Sequence, residues 1–166
     1  MTHICNINFP LRDKLEKTRK VVNNMNQKII ERANEIIGRG NVFNKNFVAS
    51  LALVDEQGYP TASTALVVRA DGINQLTFSI VRGQNKANRA AANSRASVCI
   101  SSDDYNITLI GDVEILTDSV SKEENWIPGW SDRHFKAVDN NDYLVLRFTA
   151  KRYSLFIDYE QVYGEF

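Results

Sequence analysis

A chain of 166 residues with 43% hydrophobic content can bury one sizeable core, and its length calls for no second domain. Lys+Arg and Asp+Glu both number 20, so the formal charge is zero and the basic excess of a nucleic-acid binder is missing. No apolar run approaches the roughly 18 residues that a membrane-spanning helix needs, so no membrane partner is expected.

The opening MTHICNINFPLRDK lacks the long apolar core and small-residue cleavage site of a signal peptide, which makes the cytoplasm the expected compartment. Cys5 and Cys99 lie far apart and suggest no disulfide framework. Cys99 sits among apolar neighbours in ASVCIS and reads as a buried, inert thiol.

Residues 12–37 carry a helical pattern, with Leu15, Val21, Val22, Met25, Ile29, Ala33, Ile36 and Ile37 recurring at spacings of three, four and seven. Gly38 ends it, and Asn23–Asn24 offers a place to divide it in two. An apolar face of that length predicts packing on the body of the protein or on a partner chain.

From residue 47 the period changes to two. FVASLALVD is a first strand closed by DEQG, and TASTALVVR is a second, leading into an ADG turn at 70–72. NQLTFSIV is a third strand, NKANRAAAN a short helix and ASVCIS a fourth strand. YNITLIGDVEILT is a fifth, whose central Gly111 predicts a bulge or a close backbone approach.

Residues 118–138 read as helix and loop; Ser121 and Glu124 fit a capping box, with Asp118 as a rival cap. DYLVLRFTA and KRYSLFIDY read as two last strands. The expected fold is mainly β (α+β): six or seven antiparallel strands closed into a barrel, which removes exposed edges, with a long N-terminal helix and short peripheral helices.

Nucleophilic and metal chemistry find little support. The chain has only His3 and His134, with no G-x-S-x-G, and His134 in SDRHFKAV reads as a solvated surface side chain. The scattered His and Cys lack ligand spacing, and SSDDYN lacks the glycine and terminal glutamate of a calcium loop.

A better candidate is the turn VRGQNKANR. A helix starting near Gln84 presents free N–H groups and the positive end of its dipole, a natural place for phosphate. Lys86 adds charge, Asn85 a donor, and Arg82 or Arg89 further cations. A merely solvated helix face fits Lys86 and Arg89 as well. Ser63, Thr64, Thr77 and Ser79 stand where strand alternation would favour apolar side chains, and on one side they would line a small pocket beside the turn. Each strand alone also fits a plain solvent-facing surface.

Taken together, GYPTASTALVV, LTFSI, NKANRAAANSRASVCIS, YNITLIGDVEIL and DSVSKEENW, in that order between about Phe47 and Phe156, resemble the FMN-binding split β-barrels. That family includes pyridoxamine 5'-phosphate oxidase and the general-stress-protein type. The resemblance implies a flavoprotein homodimer with FMN at its interface, transferring electrons to or from a small-molecule substrate. Residues 41–166 would form the FMN-binding domain, and 1–40 a helical extension outside the family core.

By position, Lys86 would contact the phosphate with Asn85 beside it. Ser63, Thr64 and Ala65 would run along the flavin, and Phe78 and Ser79 would approach the ring. Asn106 would come from the partner chain.

There are departures from the family pattern. Many relatives carry a phosphate-binding Arg where this chain has Ser63, and Arg82 could compensate. The loop from Ser79 to Lys86 is one residue longer than expected, which would put Ile80 in the place of Ser79. The Trp- and Arg-rich ending that grips pyridoxal phosphate is replaced by FIDYEQVYGEF, so oxidation of pyridoxamine phosphate is not expected. Trp126 and Trp130 fit either loop anchors or a cover over flavin or substrate. No side chain is an evident acid or base, although Tyr59 and Tyr105 are available. The alternatives are a non-catalytic flavin binder or sensor, a relative using the deazaflavin F420 or haem, and a barrel that binds nothing.

Overall fold

The computed structural model describes residues 9–38, 47–129 and 131–166. His3, Cys5 and Trp130 lie outside them.

The first helix, α1 (Phe9–Gly38), is continuous across Asn23 and Asn24. Ile29, Ala33, Ile36 and Ile37 join the main core, while Val21, Val22 and Met25 are exposed. Among the described side chains of this face, those of the C-terminal turns are the ones that join the barrel core. Asn34 accepts a hydrogen bond from the Ile73 N–H at 2.8 Å, which ties α1 to the turn between the second and third strands.

Next come β1 (Val48–Val54), β2 (Pro60–Asp71), β3 (Gln75–Val81), α2 (Asn85–Ala92), β4 (Arg95–Ser102) and β5 (Tyr105–Leu116). After them lie α3 (Ser119–Glu124), α4 (Ser131–Phe135), β6 (Tyr143–Ile157) and β7 (Glu160–Glu165). The strands form one antiparallel sheet in the order β3-β2-β1-β4-β5-β6-β7. A further β3–β6 pairing closes six of them into a barrel and leaves β7 outside.

Inward side chains such as Leu51, Leu76, Phe78, Val98, Leu109, Phe148 and Leu155 fill the interior. Among the described residues, no helix is long and apolar enough to cross a membrane.

Three local readings are corrected. The two expected last strands are one 15-residue strand, β6. No turn occurs at Ala150–Lys151; there β6 changes partner, pairing with β3 before that point and with β7 after it. The reversal comes at Asp158 and Tyr159, both at positive φ (52° and 66°), and β7 follows.

The cap of α3 is Asp118, whose carboxylate accepts from the Ser121 N–H at 2.8 Å. Cys99 is half-exposed, because the alternation of β4 turns Ala96, Val98 and Ile100 inward and Ser97, Cys99 and Ser101 outward. The expectation for Gly111 holds in both forms: the β5–β6 register shifts between Ile110 and Gly111, and Gly111 lies against the β6 backbone.

The α3–α4 insert covers the outer faces of β3 and β6 with a second small core of Phe135, Tyr143 and Val145. Trp126 packs edge-on against Tyr143, with ring centroids 5.2 Å apart, as a loop anchor does. Lys122 is buried; its Nζ donates to the Asn140 carbonyl at 3.0 Å and lies 6.0 Å from the Tyr143 ring centroid.

Burial pushes the Tyr143 phenol above its usual pKa of 10.0. The Ser79 hydroxyl lies nearby and works against this rise, although its own oxygen reaches no partner in hydrogen-bond geometry. Above about pH 10 the unfolded chain gives up the phenol proton while the folded chain keeps it, so folding stability falls. We expect denaturant midpoints to drop more steeply above that pH in the natural protein than in Tyr143→Phe; equal slopes would contradict the assignment.

Candidate functional site

β2 and β3 pair only from Val67–Phe78 to Asp71–Gln75. Beyond Val67, β2 runs on to Pro60 paired with β1, while β3 runs on to Val81 paired with β6. The two strands thus part company, and the facing backbone edge of β2 over residues 60–66 has no β3 partner. α2 follows this split and buries Ala87 and Ala90, three residues apart on one helix face.

The turn into α2 runs from Val81 to Gln84, closed by the Gln84 N–H to the Val81 carbonyl at 3.3 Å. Gly83 takes the positive φ (75°) that the third position of such a turn demands. Arg82 is held from outside: its N–H reaches the Asp142 carbonyl at 2.9 Å and its Nε the Asn141 carbonyl at 2.7 Å.

Gln84 occupies the N-cap of α2, and its side chain makes no capping hydrogen bond. Ser63, Gln84, Asn85, Lys86 and Arg89 line a cleft of about 380 Å³ at this helix end. The lining holds two cations and no carboxylate. Neither the Asn85 nor the Lys86 side chain makes a hydrogen bond or ion pair with another described residue. Such an uncapped helix end, flanked by cations three residues apart, suits a multiply charged anion.

The site residues expected from the sequence separate into groups. Ser63, Asn85 and Lys86 meet in the cleft. Thr64 pairs with Ser50 and faces the outside of the sheet, opposite to Ser63. Ala65 is buried in the core beside its pair partner Ala49.

The Phe78 side chain is wholly within the core, so only its backbone can meet a ligand. Ile80, the register alternative to Ser79, is core as well. Thr77 and Ser79 lie on the β3 face covered by the insert, where Thr77 donates to Asn125 Oδ1 at 2.6 Å, and so they do not share a pocket with Ser63. Asn106 is exposed on β5 and accepts from the Thr108 hydroxyl at 3.0 Å.

Arg82, expected as a compensating cation, is tied to the 141–142 loop; Arg89 is the cation in the cleft. His134 is exposed on α4.

A second cleft of about 370 Å³ lies between the β2–β3 hairpin and α3, lined in part by Arg69, Thr77, Glu124 and Trp126. Arg69 and Glu124 pair across it at 3.5 Å, and Asp71 adds a second carboxylate to its lining. The α2 cleft, by contrast, holds uncompensated positive charge.

A split antiparallel barrel with a cation-lined helix end between parted strands defines the class of protein. Residues 41–156 match the family model described as pyridoxamine 5'-phosphate oxidase, and the chain belongs to that family. No curated protein matches it.

Among solved structures, it is similar to a protein from Clostridium acetobutylicum related to general stress protein 26 of Bacillus subtilis (pyridoxinephosphate oxidase family). That match has TM-score 0.70 and 22% identity and covers 83% of this chain and 94% of the other. General stress protein 26 from Bacillus anthracis matches at TM-score 0.62 and 17% identity, covering 81% and 95% of the two chains. A heme binding protein from Mycobacterium smegmatis matches at TM-score 0.60 and 17% identity, covering 76% of this chain and 55% of that one. At these identities the structural likenesses carry the fold.

Proposed function

We propose that the chain is an FMN-binding oxidoreductase of this family, working in the cytoplasm as a homodimer on a small-molecule substrate. One observation carries the reading: the uncapped end of α2, Lys86 and Arg89 converge on a cleft that opens onto the unpaired edge of β2. The available donors fit a phosphate monoester. Lys86 supplies a point charge, Asn85 and Ser63 supply hydrogen bonds, and the first N–H groups of α2 complete the cradle.

The free backbone edge at Ser63, Thr64 and Ala65 offers donors and acceptors along the length of a flat ring. Phe78 and Ser79 contribute through their main chain. When bound, FMN supplies the electron-transfer chemistry. The protein holds the phosphate, orients the ring and shields one of its faces.

The homodimer is supported by the outer face of the sheet. Thr64, Ser50, Cys99 and Thr108 stand in one lateral row through their pairings, and none is charged. Asn106 lies two residues from Thr108 on this face, where it can reach a flavin held by the second copy. A row of small, uncharged side chains of this kind suits a self-complementary contact.

The test is a titration followed by quenching of flavin fluorescence, run beside sedimentation. The reading predicts saturation at one FMN per chain in a dimer, with Lys86→Ala weakening binding about tenfold or more, the loss of one charge-assisted hydrogen bond. Unchanged affinity in Lys86→Ala would overturn the placement of the phosphate. Saturable binding without electron transfer from reduced nicotinamides or other donors would leave a flavin binder or sensor.

A further inference from the structure

The stripe that seats α1 on the barrel runs on past it. Ile29, Ala33 and Ile36 are buried, while Met25 and Val22, one and two turns earlier on the same stripe, are exposed, as is Val21 beside them. From Glu16 to Lys28 the helix extends for about 18 Å. Over that length Lys17, Arg19, Lys20 and Lys28 stand against a single carboxylate, Glu16. None of these four cations pairs with a carboxylate among the described residues. Lys17 lies four residues before Val21 and Lys28 three after Met25, so both flank the apolar stripe.

The opposite character gathers where the β4–β5 and β6–β7 turns meet. The Asp158 N–H donates to the Asp104 carbonyl at 3.3 Å and joins the two turns. Asp103, Asp104, Asp158 and Glu160 are all exposed, and none pairs with a cation among the described residues. No Lys or Arg occurs from Ala96 to Ser121 or from Tyr153 to Phe166. Beside the carboxylates stand Phe156 and Tyr159, 38% and 92% exposed, with ring centroids 6.3 Å apart.

We infer that residues 16–28 of α1 form an arm that docks on a second copy of this chain, on the acidic and aromatic end made by these two turns. The inference rests on the homodimer of the proposed function and on nothing about its cofactor. Within one chain both surfaces are exposed, so the arm does not reach its own turns. Two arms laid side by side would set like charges together, whereas the turns offer carboxylates to the cations and rings to the apolar stripe. The turns also border the sheet face assigned to the dimer. Asp104 lies two residues before Asn106, Asp158 two after Phe156, and Asn106 and Phe156 are paired neighbours. α1 precedes residues 41–156, the part matched by the family model, so the arm lies outside the shared domain.

The experiment is sedimentation equilibrium of the full chain without flavin, at low and high salt. Lys17→Glu with Lys28→Glu reverses the arm, and Asp104→Lys with Asp158→Lys reverses the turns. All four side chains are exposed, so both variants should fold. Each is expected to weaken the dimer about tenfold at low salt and less at high salt, and the four changes together to restore it to within about threefold. Val22→Ser with Met25→Ser leaves every charge in place and should weaken the dimer about fivefold at either salt concentration.

A dimer unchanged by both reversals overturns the inference and leaves the homodimer standing. A dimer weakened by the arm reversal and not rescued by the turn reversal overturns the turns as the docking site. Binding to phosphatidylserine vesicles that depends on Lys17 and Lys28, with the dimer unaffected, assigns the arm to a membrane surface and overturns the inference. A chain that stays monomeric at every concentration overturns both the inference and the homodimer.

Discussion

Gly111→Ala is expected to cost about 4 kcal/mol or more, and Gly111→Val to leave no folded protein. A Cβ at this position would overlap the Thr149 carbonyl oxygen and lie 2.9 Å from Ala150 Cα. Both are backbone atoms of β6, the strand that pairs with β5 along its length and with β3 and β7 along its two halves. They cannot retreat without parting three ladders. The bulge between Ile110 and Gly111 marks the same place, where β6 changes partner. Domains of this size have total stabilities of about 5–15 kcal/mol, so the loss is a large fraction of the whole. Urea denaturation of Gly111→Ala measures it, and a cost under about 1 kcal/mol would show that the two strands are not so closely apposed.

The second large effect is expected at Asn125→Leu, at about 2–3 kcal/mol. Asn125 is only 5% exposed and joins three elements. Its Oδ1 accepts from the Thr77 hydroxyl on β3 at 2.6 Å, its Nδ2 donates to the Ser121 carbonyl of α3 at 2.8 Å, and its own carbonyl accepts from the Tyr143 hydroxyl on β6 at 2.9 Å. Leucine keeps the volume and the last of these bonds but strands the Thr77 hydroxyl, whose remaining acceptor is the Arg69 carbonyl at 3.4 Å.

The penalty of a buried donor without a good partner dominates such changes. Adding Thr77→Val removes the stranded group, so the double variant should recover about half of the loss. Additive losses in the double variant would locate the cost elsewhere.

Most of the barrel is legible in the sequence because alternation of period two reports which side of a strand is buried, and β1, β4 and β5 follow it. β6 was less legible because Ala150–Lys151 changes partner without changing direction, and nothing local distinguishes that from a chain break between strands. The turn at Asp158–Tyr159 takes positive φ without glycine or asparagine, so the usual punctuation is missing.

The cleft was half legible. Lys86 and Asn85 announce themselves at a helix start, and Ser63 joins them. Thr64, as the next residue in the strand, necessarily faces away. Thr77 and Ser79 looked like companions of Ser63, but their face is covered by the insert, a contact between segments some 48 residues apart that no local pattern encodes. The choice of Arg89 over Arg82 follows the same logic. Helix spacing places Arg89 with Lys86, while Arg82 is captured by Asn141, 59 residues downstream.

The central claim is that the α2 cleft holds the phosphate of FMN. The most direct measurement is the absorbance spectrum of the purified protein after incubation with FMN, haemin and deazaflavin together, followed by desalting. The account predicts a retained flavin band at one equivalent per chain, lost in Lys86→Ala. A haem band, a deazaflavin band or a colourless protein would contradict it.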